Sequence, residues 1–446
     1  MVAAVAACAC SRTALGPGGT GGAADGGGGL GQGAGGAGGG GAGGGGSGGA
    51  GGEGGGGGPQ SCSLVDPIAR LSGGTQRHQV RPGLIFTSGA LERATLLTAW
   101  TSGPDPEKPP LEIRHTSFEP WGAWPADGTF EPSFLADLDG GYSFAGAPEG
   151  SDRFAVMFTA PDGQSVWTRR NLDPGSGGLG VLHVHGTDQF AGARVLFAAD
   201  ARPTGPGGGG LKGVLGAFGR HDGVSHVGRP HIAWEDGSGW STNLACASTP
   251  IDAAGVALAR DAWIFAMTGG ATTLDRGCAS ATADVFIGFF RAGDMGPPAA
   301  SQHVASEVLA LRAATHPSGA WLTWAYADGE GVRIDAARVD EAGTIALAPF
   351  QVTSGKAVVA ASLAATALAD RLAVVFITDL SPARIELRVF DEMGGLRASH
   401  SLATLDGLRP ETAALGAPKG DRLLLAWSER VGTAYQAHIA RLFCQP

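Results

Sequence analysis

A tight turn followed by a short apolar run recurs along most of this chain, and it limits the fold more than any other feature. Three copies are plain: GAPEGSDRFAVMF at 146–158, ALADRLAVVF at 367–376 and GAPKGDRLLLAW at 416–427. Each joins a small-residue strand end, a turn rich in Gly, Pro, Ala or Asp, an Arg and an apolar stretch. Related runs begin at Leu96 (LLTAW), Val195 (VLFAA), Trp263 (WIFAM) and Trp321 (WLTWA), which makes seven in all. Self-similarity at this spacing, with several strands per unit, is the signature of propeller blades.

Each run is followed by a strand of a different kind. Arg384 to Val389 alternate charged and apolar residues, and Val332 to Asp335 and Tyr435 to Ala440 read the same way. Alternation gives one buried and one wet face. A continuous apolar run of this length is a strand covered on both faces. An inner strand sandwiched between neighbours, followed by an outer one that meets water, is what a blade requires. A β-sandwich also yields many short strands, but it does not explain the return of the whole hairpin. The expectation is an all-β chain folded as a β-propeller over residues 62–446, with seven blades and with six or eight as the alternatives. The weakest unit lies at 181–240, where GPGGGG at 205–210 interrupts the pattern.

Two segments precede that domain. Residues 16–61 are nearly all Gly and Ala and bury too little apolar surface to offset the entropy of ordering. As a flexible coil this segment would hold the domain about 35–40 Å from its start. Within residues 1–15, Val5, Ala6, Ala7 and Cys8 have the small-small-Cys order of a lipobox, with Ala7-Cys8-Ala9-Cys10 a poorer version. A lipobox, a flexible leash and a folded domain together resemble the layout of bacterial surface lipoproteins. The resemblance implies a secretory signal whose basic region lies upstream of Met1, lipidation at Cys8, and display at the cell envelope or outer membrane. The membrane is then a partner through the lipid. A cytoplasmic chain is the alternative. No apolar run approaches the roughly 18 residues of a membrane-spanning helix.

The remaining cysteines are Cys62, Cys246, Cys278 and Cys444. An even number in an exported chain points to disulfides, and four thiols allow three pairings. Ring closure brings the ends of a propeller together, which favours Cys62–Cys444, with Cys246–Cys278 as the second pair. The net charge of −10, with no basic stripe, excludes nucleic acid as an expected partner.

Chemistry is harder to find. His183 and His185 project from one face of a strand, and His221, Asp222, His226 and His231 follow closely, enough for a Zn²⁺ or Cu²⁺ set but without motif spacing. No cofactor is expected. Acidic residues such as Asp236, Asp328, Asp379, Asp391 and Glu429 read as turn formers, and no pair among them stands out as a glycosidase dyad. TAPDGQSVW at 159–167 and WEDGSGWST at 234–242 are near misses to the sialidase Asp box. Trp100, Trp324 and Trp427 end apolar runs and are expected in the core. Trp121, Trp124, Trp234 and Trp240 lie in loops, where aromatic rings could stack on a glycan or grip a protein. The sequence therefore suggests a lipid-anchored, non-enzymatic binding or scaffold propeller. The runner-up is a carbohydrate-active enzyme, a glycosidase or lyase, on the same fold.

Overall fold

The structure is a computed structural model. It describes residues 60–73, 76–88, 92–106, 111–137, 144–149, 153–159, 166–174, 181–185, 198–200, 213–221, 226–233, 239–241, 245–247, 253–259, 262–269, 272–273, 277–278, 284–291, 301–305, 308–329, 331–403 and 414–445. Between residues 175 and 305 the description is of backbone, with the Ile264 side chain the exception. Cys8 and the glycine-rich segment lie outside the described residues.

The strands group into antiparallel meanders taken in chain order. Sheet A runs His78–Ser88, Glu92–Thr101, Glu112–Phe118 and Ser133–Asp137. Sheet B runs Phe144–Glu149, Arg153–Thr159, Val166–Leu172 and Val181–His185. Sheet C runs Ala198–Asp200, Gly213–His221, His226–Ala233 and Gly239–Ser241, with Ala245–Ala247 also on its third strand. Sheet D runs Ala253–Ala259, Ala262–Gly269, Asp284–Arg291 and Ser301–Ala305. Sheet E runs Val308–His316, Gly319–Ala327, Val332–Asp340 and Ile345–Gly355, and sheet F runs Val358–Leu368, Arg371–Thr378, Arg384–Phe390 and Leu396–Ala403. Sheet G combines Ala414–Lys419, Arg422–Val431 and Ala434–Cys444 with two strands from the other end of the domain, Gln60–Leu64 and Ala69–Leu71.

The first strands of these sheets touch in sequence. A meets B, B meets C, C meets D, D meets E, E meets F, F meets G, and G returns to A. A closed circle of first strands with consecutive meanders radiating from it is a β-propeller, and the chain is all-β. No helix among the described residues is long and apolar enough to cross a membrane.

Apolar layers lie between the sheets. Leu97 of A meets Phe154 and Phe158 of B, while Trp321 of E meets Leu372 and Phe376 of F. Leu387 and Leu402 of F meet Leu425 and Trp427 of G. Leu424 and Ile439 of G meet Leu96 and Trp100 of A. The second strands serve two layers at once, which is why their apolar runs are continuous: Arg371–Thr378 is buried at every position between its ends. The third strand Arg384–Phe390 starts exposed and buries Ile385, Leu387 and Val389, as alternation requires. Trp100, Trp324 and Trp427 are all core residues.

The repeated Gly-Ala-Pro of the turn motif has a packing cause. A Cβ on Gly146 would overlap Ile85 and Leu97 of sheet A, and one on Gly416 would overlap Phe86 of the same sheet. Both glycines sit on first strands flanking sheet A, where a neighbour's side chain fills the space a side chain would need.

A second hairpin repeat joins the last two strands of E and of F. Val339-Asp340-Glu341-Ala342-Gly343-Thr344-Ile345 and Phe390-Asp391-Glu392-Met393-Gly394-Gly395-Leu396 form the same turn. Asp340 Oδ1 accepts from Ala342 N and Thr344 N at 2.9 and 2.8 Å; Asp391 Oδ1 accepts from Met393 N and Gly395 N at 2.9 and 2.7 Å. Gly343 and Gly394 adopt φ of 75° and 80°, the left-handed turn that glycine enters freely. These backbone donors and Arg397 hold the Asp391 carboxyl below its usual range, against the opposing effect of burial.

Candidate functional site

Several buried polar and charged side chains gather where the ends of the domain meet. Cys62 and Cys444 stand directly opposite each other in antiparallel register and are joined by a disulfide. They are 2% and 0% exposed, inside the layer between F and G. Cys246 and Cys278 fall on short strands whose side chains lie outside the description.

Around the bridge, polar side chains fill places that a longer strand would occupy. Ala434–Cys444 pairs with Arg422–Val431 along nearly its whole length, while its other edge is strand-paired at 438–439 and 442–444, with Arg441 O also accepting from Val65 N. Gln79 of sheet A, 0% exposed, completes part of the remainder. Its Oε1 accepts from Ala437 N at 2.9 Å and its Nε2 donates to Ser72 O at 2.9 Å. His78 Nδ1 accepts from Tyr435 N at 3.3 Å. Two backbone N–H groups that would otherwise be orphaned are thereby satisfied.

Arg441 is the charged centre of the seam. Its Nη1 donates to Asp66 Oδ2 at 3.0 Å and its Nη2 to Glu119 O at 3.3 Å. Its guanidinium lies 3.5 Å from the Trp124 ring centroid and 5.8 Å from that of Trp121, while Arg422 lies 5.0 Å from Trp121. Burial lowers the Arg441 value below normal, and Asp66 and Glu119 oppose the shift. The two loop tryptophans, both half-buried, therefore lie against arginines of sheet G. Trp124 also packs edge-on to Phe130 and tilted on Phe118. Trp121 Nε1, Trp124 Nε1 and Arg441 Nε are buried without an acceptor among the described residues.

The opposite face of sheet G buries a second polar group. His438 stacks on Trp427 at 5.5 Å, and Trp427 Nε1 donates to Glu429 Oε2 at 3.1 Å. Burial lowers the His438 value; Glu429 pulls it back up and Arg70 pushes it down. Glu429, read from sequence as a turn former, is a buried strand residue.

The sequence candidates on sheets B and C are placed only as backbone. His183 and His185 lie on the last strand of B, His221 and His226 face each other across the turn of C, and His231 pairs with Ser241. Trp240 is on the last strand of C. Asp222 and Trp234 lie outside the described residues. Among the described residues no group of three His, Cys, Asp or Glu side chains is placed to hold a metal.

The strands that circle the axis are poor in ionisable groups. They read HQVRPGLIFTS, FAGAPE, AAD, AAGVALA, VLALRAATH, VVAASLAATAL and ALGAPK. Their two carboxylate residues, Glu149 and Asp200, are each the last residue of a strand. Sequence reasoning missed Gln79 and Arg441. The signal for Arg441 was a lone cation inside IARLFC, an otherwise apolar strand.

No family model and no curated protein matches the chain. Among solved structures, the chain is similar to a protein of unknown function from Dyadobacter fermentans, at 12% identity and a TM-score of 0.46, over 86% of this chain and 100% of that one. It is similar to an α-L-arabinofuranosidase from Fusarium graminearum at 9% identity and a TM-score of 0.42, over 86% and 97%. It is also similar to the β-propeller domain of the Trilobed protease from Pyrococcus furiosus, at 8% identity and a TM-score of 0.44, over 82% and 95%. Strand pairing and the closed circle of first strands make the fold a propeller.

Proposed function

We propose that this chain is a lipid-anchored, non-enzymatic binding or scaffold module, a seven-bladed propeller presented at the cell envelope on a glycine leash. The observation that carries the non-enzymatic part is the make-up of the first strands. A catalytic channel needs ionisable groups that converge, and these strands offer Ala, Gly, Val, Ser and Thr along most of their length. Export is supported by the Cys62–Cys444 bridge, since structural disulfides belong to oxidising compartments. Anchoring is supported by the order of Cys8, leash and domain. The ligand class is a protein or glycan recognised by loops at one rim.

Intact-mass spectrometry of the protein expressed in a bacterium from its own gene and flanking sequence tests the address. The expected product starts at Cys8, carries added acyl mass and fractionates with membrane. An unprocessed chain in the soluble fraction overturns anchoring. A screen of aryl glycosides and polysaccharides tests the non-enzymatic part. Turnover abolished by Glu149→Gln or Asp200→Asn would replace it with the glycosidase reading.

A further inference from the structure

We propose that residues 60–72 form a clasp across three sheets, that the Cys62–Cys444 bridge locks it, and that the clasp itself shields the bridge from reductants. The role of the clasp as the end point of a membrane leash rests on the anchoring reading above; its locking does not.

The clasp is defined by its partners. Gln60 and Ser61 pair in parallel with Ala398 and Ser399 of sheet F. Cys62, Ser63 and Leu64 then pair antiparallel with Cys444, Phe443 and Leu442 of sheet G. Val65 N donates to Arg441 O at 3.0 Å, and Asp66 takes the Arg441 ion pair. Ala69 and Arg70 pair with Ile439 and His438 of G, while Arg70 and Leu71 run parallel to Thr129 and Phe130 in the loop of sheet A. Arg70 N donates to Gly128 O and Ser72 N to Phe130 O, at 2.9 and 2.7 Å. Ser72 Oγ donates to Glu131, and Gln79 of A returns a bond to Ser72 O. One short segment thus joins F, G and A by directional bonds.

The bridge is buried by what it fixes. Reduction needs a thiolate to attack one Sγ along the S–S axis, releasing the other sulfur as a thiolate. With a dithiol, the mixed disulfide then closes on the reagent's second thiol. The reagent becomes a cyclic disulfide, and its two electrons and two protons pass to Cys62 and Cys444. Both sulfurs belong to residues sealed within the layer between F and G, so the attack waits for residues 60–64 to lift. Load has the same geometry. A pull on the leash arrives at Gln60, and only Gln60 and Ser61 can peel before the covalent link to Cys444 takes it.

The test uses the full chain and dithiothreitol over a wide concentration range, with reduction followed by alkylation and mass spectrometry. The rate is expected to rise and then level off, because opening becomes limiting. After reduction, amide hydrogen exchange at 62–71 and 434–444 is expected to quicken by about tenfold or more, with 308–390 unchanged, as for a local opening unit. The Cys62→Ala/Cys444→Ala variant, which needs no reductant, is expected to reproduce that pattern. A rate equal to that of an exposed disulfide at the same dithiothreitol concentration would overturn the shielding. Unchanged exchange at 62–71, or equal loss across all sheets, would overturn the clasp as a separate unit. An unlipidated Cys8 would leave these measurements as they stand and remove only the load.

Discussion

Sheets F and G have the same meander of strands and differ in how they are assembled. F is built from strands consecutive in the chain, joined by short turns such as Ala369-Asp370 and Asp391–Gly395. Its stability is apolar: Leu372, Val374, Val375, Phe376, Leu387 and Val389 are all buried. G takes strands from both ends of the domain, and its cysteines are 382 residues apart. Closing so large a loop carries an entropy cost that F does not meet. Apolar faces are also promiscuous, because many strands fit one greasy layer. The seam instead uses groups with directional partners: Gln79 on Ala437 and Ser72, Arg441 on Asp66, and Cys62 on Cys444. Consecutive sheets can rely on burial, whereas the join between chain ends needs direction.

The largest effect should come from the covalent link. In the chain-entropy picture a loop of 382 residues contributes about 6 kcal/mol, so Cys444→Ser should lower unfolding stability by several kcal/mol in denaturant melts. A conventional large-to-small change in F sharpens the contrast: Leu387→Ala should cost about 2–5 kcal/mol, the same cost with and without reductant. If reductant and Cys444→Ser leave the melt where it was, the seam is no weaker than F and the comparison fails. Overpacking probes the ring from inside. Gly416→Val drives a side chain into Phe86 and should cost about 1–3 kcal/mol, which Phe86→Ala in the same chain should partly relieve.

How much of this was legible in the sequence differs between the two sheets. F could be read directly. LAVVF is a strand covered on both faces, and the alternation from Arg384 to Val389 appears in the burial of Ile385, Leu387 and Val389. The signal was local because the partners are local. At the seam the same reasoning misread Tyr435 to Ala440 as half wet. Gln436 and Ala437 are both buried, since clasp and sheet A cover the strand from partners some 360 residues away in sequence. Trp121 and Trp124 were readable as loop residues, but the arginines they cover lie more than 300 positions on. The paired D-E-x-G hairpins of Asp340 and Asp391 were open to view and are explained by their turn geometry. Pairing of the end cysteines was legible only because a ring must close.

A smaller effect distinguishes direction from burial within the seam. Gln79→Met keeps the volume and the apolar contact but removes the acceptor for Ala437 N and the donor for Ser72 O. A buried unpaired group costs about 1–3 kcal/mol, so Gln79→Met should destabilise by about that amount. The matching change at Thr366 on the first strand of F, Thr366→Val, should move stability by less than about 0.5 kcal/mol. Equal losses would mean that the polar bonds of the seam are incidental.

The smallest expected effect is one of pH, and it reaches beyond the seam. His115 in sheet A, His316 in E and His438 in G all have values lowered from 6.5, with burial the largest cause in each. For His316 the Arg338 charge adds to the lowering, while Asp370 and Glu392 oppose it. A lowered value in the folded state means that the unfolded chain binds the proton first. Stability from the neutral rings is complete above about pH 6.5 and declines as pH falls from there through the lowered values. His438→Leu keeps an apolar contact on Trp427 and removes one of these three titrations. Its stability should therefore fall less steeply than the parent's between neutral pH and pH 5, measured by urea melts at each pH. Parallel slopes for parent and variant would show that His438 already meets water, and that sheet G, like F, is held by its apolar layers.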